Sequence, residues 1–176
     1  FQLLKHIYHG ENVIVSRCNA NPKHYSAYLK IAMDHNCRIL FVSTNNVKTE
    51  LRLSVALAGI LNRSNEGDSV MVGRLEYPFA EVINFTQRNW KDFQPHSKAI
   101  MIDTFTEDVQ LADAAKTAVH SKQIQKFVMD NKDALMGIRK PLGDIVSEIQ
   151  RIVDDPPTEF FVEKTLAETV YVGLNV

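Results

Sequence analysis

The hydrophobic positions of this chain follow two periods, one typical of strands and one typical of helices. Continuous runs of β-branched and other apolar residues predict buried strands. These runs are "ENVIVSR" (11–17), "CRILFVST" (37–44) and "KAIMIDTF" (98–105). Apolar residues spaced three or four positions apart predict helices. The helical segments are 1–9, ended by Gly10, then 22–35, 47–63 and 74–93, and a longer region over 109–153 with a break near Pro141 and Gly143.

The order of these elements indicates the fold class. Strands that alternate with helices predict an α/β domain with a mostly parallel sheet flanked by helices. The unbroken apolar run of 37–44 is typical of a parallel strand covered on both faces. Paired prolines and carboxylates in "DDPPTEF" predict a linker over 154–160. This linker would separate an α/β domain (1–153) from the start of a following domain (161–176).

Composition and charge narrow the classes of function. The chain has 176 residues, of which 45% are hydrophobic, enough for one domain with its own core. Its net charge is −1, so any phosphate binding must use locally placed cations. Cys18 and Cys37 lack the spacing of a metal site and favour an intracellular location, cytoplasmic or nuclear. No apolar run reaches the ~20 residues that span a membrane, and the apolar start at Phe1 predicts a fragment.

Two arginines follow predicted elements at places suited to phosphate binding. Arg17 follows the first predicted strand and is accompanied by Asn19 and Asn21. Arg63 ends the helix after the second strand and precedes "SNEGD", a stretch suited to a lid that closes over a nucleotide. The guanidinium fork matches phosphate oxygens, and parallel sheets bind ligands at the carboxyl ends of their strands. We therefore expect Arg17 and Arg63 to meet over one anion-binding hollow at the rim of the sheet.

Each of these residues also has a purely structural interpretation. Arg17 could cap a helix or pair with a carboxylate, and Asn19 and Asn21 suit the turn before the next helix. Arg63 suits the C-terminus of a helix, where the helix dipole favours a cation. The residues alone leave both interpretations open.

For the other polar and aromatic residues the sequence predicts mainly structural roles. Lys48 and Arg52 stand four positions apart on one helix and predict a solvated face. Trp90 and Phe93 continue an apolar stripe at helical spacing and predict core positions. Asp103, at the end of the third predicted strand, has a position that fits a Mg²⁺ ligand. The histidines form no set with metal-ligand spacing, and no metal ligand is assigned.

Several segments together resemble a known family. The stretch "VIVSRCNANPKHY" resembles a strand and helix of the polynucleotide kinases of the P-loop superfamily, as in fungal-type tRNA ligases, with Arg17 and Asn19 on motif positions. The stretch "LRLSVALAGILNRSNEGDS" is similar to the helix and lid of that family, with Arg63 on the lid arginine. The stretch "FAEVINFTQRNWKDFQP" resembles the helix that follows the lid.

This resemblance implies a P-loop-kinase-like fold and a role in RNA repair. The implied activity is a 5′-hydroxyl polynucleotide kinase that transfers the γ-phosphate of ATP or GTP to RNA ends, such as tRNA halves, with Mg²⁺ as the metal. Arg63 would contact the donor phosphates and stabilise the transferring phosphoryl group. Arg17, Asn19 and Asn21 would hold the acceptor RNA. In such ligases a cyclic phosphodiesterase of the two-histidine type follows, and "YVGLNV" (171–176) would be its first strand.

Two departures from the family limit what this chain is expected to do alone. Ser16 stands where the family has Asp, and the sequence contains no G-x-x-x-x-G-K-[ST] phosphate-binding loop. We expect this loop to lie before Phe1 or to have been lost, and the chain alone not to phosphorylate RNA. The alternatives are a non-catalytic kinase-like α/β module that binds RNA or a protein partner, and a P-loop kinase of a small metabolite.

Overall fold

The computed structural model describes residues 2–15, 22–44, 50–63, 69–72, 74–91 and 95–162. The helices in these residues are α1 (Gln2–Tyr8), α2 (Pro22–Asp34), α3 (Glu50–Arg63), α4 (Phe79–Lys91), α5 (Val109–Lys116), α6 (Ser121–Asp130), α7 (Lys132–Gly137) and α8 (Leu142–Asp154). The strands are β1 (Val42–Thr44), β2 (Ser69–Val72), β3 (Leu75–Pro78) and β4 (Ile100–Ile102), and a 3₁₀ helix covers Thr158–Phe160.

The chain divides into two compact units, each made of separate stretches. Unit 1 is formed from Phe1–Ser43, Gln94–Met101 and Ile149–Val176. Unit 2 is formed from Thr44–Phe93 and Ile102–Glu148. The chain therefore passes from unit 1 to unit 2 within β1 and again within β4.

The fold is mixed α/β, as predicted, and contains a parallel sheet that pairs β1 with β4. At the start of this pair, the backbone N–H of Ile100 donates to the carbonyl oxygen of Phe41 at 2.9 Å. Both strands are shorter than their apolar runs predict. Val42 is exposed, so the prediction that this strand is covered on both faces is wrong.

The predicted buried strand at 11–17 is also wrong for the part that the structure describes, residues 11–15. These residues form no strand, and the side chains of Val13, Ile14 and Val15 are exposed, that of Ile14 by 69%. β-branched residues favour an extended backbone, but a strand is stable only when it is hydrogen-bonded to a neighbour and has one face buried. The sequence run supplies the preference for an extended backbone, but in the described residues it has neither a paired neighbour nor a buried face.

The helix ends agree better with the sequence. α1 is followed by Gly10, whose φ of 71° is the left-handed conformation that glycine adopts most easily. The N–H of Gly10 donates to the carbonyl of Ile7 at 2.9 Å, which closes the last turn. α2 begins at Pro22 and α3 ends at Arg63, and both bounds were predicted.

The segment 74–93 departs from its prediction at the start. Its first residues form β3, which pairs antiparallel with β2, and only Phe79–Lys91 is helical in the described part. Met71 lies opposite Glu76, and the Glu76 carboxylate accepts a hydrogen bond from Ser69 Oγ at 2.5 Å. A hairpin of such short strands offers only a few alternating positions, so the helical stripe that follows dominates the pattern.

The long helical region 109–153 is divided into α5, α6, α7 and α8. The predicted break before α8 is confirmed, because residues 138–140 run antiparallel to residues 104–106 there. The N–H of Lys140 donates to the carbonyl of Thr104 at 3.0 Å. The earlier breaks, between α5 and α6 and at Asn131, are not predicted by the sequence.

The core of unit 2 surrounds α3, which packs against α4, α5, α6 and α7. Its fully buried large side chains are Leu57, Phe79, Ile83, Val128 and Leu135. Because so many elements cover α3, nearly every face of this helix is buried. This burial decides the environment of the polar residues that α3 carries.

In unit 1 the chain after the predicted linker is packed. Val162 is buried, and its N–H donates to the carbonyl of Ile39 at 2.9 Å. Just before it, the ring of Phe161 lies 3.8 Å from the guanidinium carbon of Arg38. The predicted final strand, in 163–176, lies outside the described residues.

Candidate functional site

The predicted phosphate-binding residues fall at different places. Arg17, Asn19 and Asn21 lie outside the described residues, so their contact with an acceptor stays a prediction. Arg63 is the last residue of α3 and is exposed, at the helix end where the dipole favours a cation. Its contact with donor phosphates also stays a prediction, as does its meeting with Arg17.

The carboxyl ends of the two parallel strands bring other polar residues together. β1 ends at Thr44, and Asp103 directly follows β4. Because the strands are parallel, these ends lie at the same edge of the sheet. We call Thr44, Arg52, Trp90 and Asp103 the strand-end cluster, and all of them belong to unit 2.

Arg52 is the centre of the strand-end cluster. It lies in the first turn of α3, is only 5% exposed, and donates from Nη1 to the carbonyl oxygen of Thr44 at 3.2 Å. The prediction that Lys48 and Arg52 form a solvated face is therefore wrong for Arg52, and Lys48 lies outside the described residues. The sequence did contain a signal, because "LRLSVALAGIL" is apolar on almost every helical face, which is typical of a buried helix.

Burial makes the Arg52 cation unusual. Loss of water around the guanidinium lowers the pKa of Arg52 from its ordinary value to about 10, while the negative charge of Asp103 acts in the opposite direction. At neutral pH the group is still a cation, because its pKa lies about 3 pH units higher. A buried charge is tolerated only when other groups compensate for the lost hydration.

An aromatic ring and a carboxylate supply part of this compensation. The guanidinium carbon of Arg52 lies 5.3 Å from the centre of the Trp90 ring, within the range of a cation–π interaction. Trp90, predicted in the core, is half-buried, and Phe93 lies outside the described residues. Asp103 is exposed, and its negative charge acts on Arg52.

The chemistry open to the strand-end cluster follows from this arrangement. An exposed carboxylate next to a fixed cation can help to hold a hydrated Mg²⁺, which usually takes one or two protein carboxylates together with substrate phosphates. No three His, Cys, Asp or Glu side chains in the described part of the chain are close enough to hold a metal ion by themselves. The buried guanidinium has a structural role in the cluster, because its hydrogen bond to Thr44 holds the end of β1 against α3.

Arg63 is well separated from this cluster. At 1.5 Å per residue, Arg63 lies about 16 Å further along α3 than Arg52. One small anion therefore does not contact both guanidinium groups. A large complex, such as a nucleotide with a polynucleotide, is long enough to reach both ends of the helix.

Unit 1 carries a separate group of polar and aromatic residues. His96 stacks on Phe41 with ring centres 4.5 Å apart, and its Nδ1 accepts a hydrogen bond from the N–H of Lys98 at 3.1 Å. Burial, and secondarily the Lys98 charge, lower the pKa of His96. The Lys98 ammonium donates to the carbonyl of Phe161 at 3.3 Å, so this group is engaged in structure.

Comparisons with family models, with curated proteins and with solved structures found no match. None of the described helices combines the length and the apolar character needed to cross a membrane.

Proposed function

We propose that this chain is part of a P-loop-type 5′-hydroxyl polynucleotide kinase domain in an RNA repair or tRNA-ligase-type enzyme, acting in the cytoplasm or the nucleus. The observation that carries the proposal is the polar strand-end cluster at the carboxyl edge of the parallel pair β1 and β4. In α/β sheets this edge is where nucleotides and other ligands bind. The sequence resemblance around Arg17 and Arg63 supports the same reaction.

The proposed reaction transfers the γ-phosphate of ATP or GTP to the 5′-hydroxyl of an RNA end, with Mg²⁺ as the metal. Arg63 stabilises charge on the transferring phosphoryl group, and Arg17, Asn19 and Asn21 hold the acceptor strand. Arg52 fixes the end of β1 and the position of Asp103. Donor and acceptor together form an extended complex, so residues at both ends of α3 have a part in it. The reaction also requires a phosphate-binding loop to cradle the donor, and these 176 residues contain no G-x-x-x-x-G-K-[ST] sequence.

A kinase assay with the full-length protein tests this proposal. The substrates are γ-labelled ATP or GTP and an RNA with a 5′-hydroxyl, and Arg63→Ala is compared with the wild type. Because charge stabilisation is the main catalytic contribution in phosphoryl transfer, we expect Arg63→Ala to lower the rate by about 100-fold or more. Arg151→Ala, at another exposed arginine, is the matched control and keeps the wild-type rate. An unchanged rate in Arg63→Ala removes this residue from the mechanism.

A second candidate is a kinase-like module that binds RNA or a protein partner without catalysis. Ser16 in place of the family's Asp and the lack of a G-x-x-x-x-G-K-[ST] loop in this sequence favour it. This candidate predicts that the full-length protein binds RNA but transfers no label. A metabolite kinase, the third possibility, predicts that nucleosides compete with RNA for the labelled phosphate.

A further inference from the structure

One aromatic side chain of unit 2 stands on the outer side of its helix. α4 buries Phe79 and Ile83 completely on its inner face, yet the side chain of Phe85 is 62% exposed. A single exposed apolar residue is common on protein surfaces, so exposure alone gives it no function. The residues near Phe85 indicate a function for it.

Polar and cationic residues lie near Phe85 on α4 and on the neighbouring α6. Arg88, one turn later, is exposed, and its Nε donates to the carbonyl oxygen of Asn84 at 3.3 Å, which turns the guanidinium back toward the turn that carries Phe85. The Asn84 side chain in turn accepts a hydrogen bond from Ser121 Oγ at 2.5 Å. This bond brings the first turn of α6, with the exposed Lys122, to the side of α4 that carries Asn84.

The charges of this surface are mainly positive. In the described part of the chain, neither Arg88 nor Lys122 forms an ion pair, so both cations are available to an anion from solution. Glu81, one turn before Phe85, is the opposing charge on the same face of α4. We call Asn84, Phe85, Arg88, Ser121 and Lys122 the Phe85 surface.

An exposed aromatic ring has the chemistry that binds single-stranded nucleic acid when an available arginine lies one helical turn away and a second cation lies on a helix that contacts the neighbouring Asn84. Bases stack on aromatic side chains whatever their sequence, and cations beside the ring contact the phosphates. The core of a protein–protein interface is instead depleted of charged residues. We propose that Phe85 stacks a base of single-stranded RNA and that Arg88 and Lys122 contact neighbouring phosphates of the same strand.

The position of Phe85 on α4 connects this surface with the strand-end cluster. Trp90 lies five residues later on the same helix, about 7.5 Å along its axis, and its ring contacts Arg52. An RNA strand that follows α4 from Phe85 therefore leads toward the carboxyl edge of the sheet. Only this path along α4 rests on the proposed function, because it assigns the Phe85 surface to the RNA acceptor of the kinase reaction.

RNA binding by the full chain tests the inference directly. The probe is a fluorescent single-stranded oligouridylate, and anisotropy gives the dissociation constant. Phe85→Ala is expected to raise this constant by about 5- to 150-fold, the loss that follows from removing one stacked base. Phe85→Trp keeps an aromatic ring and binds as the wild type does or more tightly. Leu142→Ala, at a side chain 75% exposed on α8, is the matched control and leaves binding unchanged.

The two cations have their own readout in the salt dependence. Arg88→Gln and Lys122→Gln each lower the slope of log K against log salt concentration by about 0.7, the value for one phosphate contact on a single strand. Equal affinity of Phe85→Ala and the wild type overturns the proposal. So does a Phe85→Ala variant that binds RNA normally but changes its sedimentation, because the ring then serves protein contacts.

Failure of this inference is distinguishable from failure of the proposed kinase activity. If Phe85→Ala weakens RNA binding while the full-length protein transfers no phosphate, the RNA surface stands and the kinase assignment falls. If Arg63→Ala abolishes transfer while Phe85→Ala leaves both RNA affinity and the KM for RNA unchanged, the kinase stands and the Phe85 surface falls.

Discussion

Replacing Arg52 with methionine separates the opposing effects of a buried cation. The wild-type guanidinium donates to the carbonyl oxygen of Thr44 and lies against the Trp90 ring. Methionine is long enough to fill much of the same space, but it makes neither interaction. It also removes the cation from a site where burial disfavours charge.

The expected magnitude follows from these terms. A hydrogen bond from a charged donor stabilises by about 1.5–3 kcal/mol, and a cation–π contact by about 0.5–2 kcal/mol. Against this, the lowering of the pKa of Arg52 to about 10 corresponds to roughly 3 kcal/mol of unfavourable burial of the charge. The net change for Arg52→Met is therefore small, within about 2 kcal/mol of the wild type. Arg52→Ala also leaves a cavity and costs about 2 kcal/mol more than Arg52→Met.

Urea denaturation of the variants measures these differences in the free energy of unfolding. Arg151→Met, at an exposed arginine, is the control for the loss of one positive charge and stays within about 0.5 kcal/mol of the wild type. A loss of more than about 4 kcal/mol in Arg52→Met would refute the reasoning, because the contacts of the guanidinium would then far outweigh its desolvation. Equal losses in Arg52→Met and Arg52→Ala would refute the part assigned to packing.

Three further changes test other parts of the fold. Burial, and secondarily the charge of Lys98, lower the pKa of His96, so this side chain binds a proton more readily in the unfolded chain. The free energy of unfolding should therefore fall as the pH drops below about 6.5. His96→Phe should flatten that decline in a series of urea denaturations between pH 8 and pH 5. Gly59→Ala should raise the melting temperature, because alanine favours helix by about 1 kcal/mol and its Cβ, which meets Nη1 of Arg139, displaces only the end of a flexible side chain. A lower melting temperature would show that this guanidinium is held in place. Asp108→Ala removes the side-chain oxygen that accepts the N–H three residues later at 2.9 Å and caps α5, so urea denaturation should show a loss of about 1 kcal/mol, and no loss would remove the cap from the account.

The helices were predictable because their signals are local. Gly10 ends α1 through its own backbone conformation, and Pro22 begins α2 because it suits the first helical turn. The C-terminal end of α3 was predictable because the apolar pattern stops at Arg63. In each case the information lies within a few residues of the boundary.

The strands were less predictable because their stability depends on distant residues. The run Val13–Val15 has the composition of a strand but no pairing in the described part of the chain, while β1 is paired with β4 from far along the sequence. Propensity cannot report which neighbour a strand will find. The β2–β3 hairpin was missed for a different reason, because its strands are too short to set a period against the helix that follows.

The site was partly predictable. The carboxyl edge of a parallel pair follows from the alternation of strands and helices, and Asp103 was noted at a strand end. Arg52 was assigned to a solvated face because only its spacing from Lys48 was considered. The apolar residues on every other face of α3 decide the burial of this helix. The Arg52 cation is therefore buried where a solvated face was expected.

The position of transferred label in RNA tests the proposed kinase most directly. The full-length protein is incubated with γ-labelled ATP or GTP and a 5′-hydroxyl RNA, and nuclease digestion then identifies the labelled nucleotide. The account predicts label on the phosphate of the first nucleotide, and its near-complete loss in Arg63→Ala. Label found only in inorganic phosphate, or RNA that stays unlabelled with both nucleotides, would contradict it.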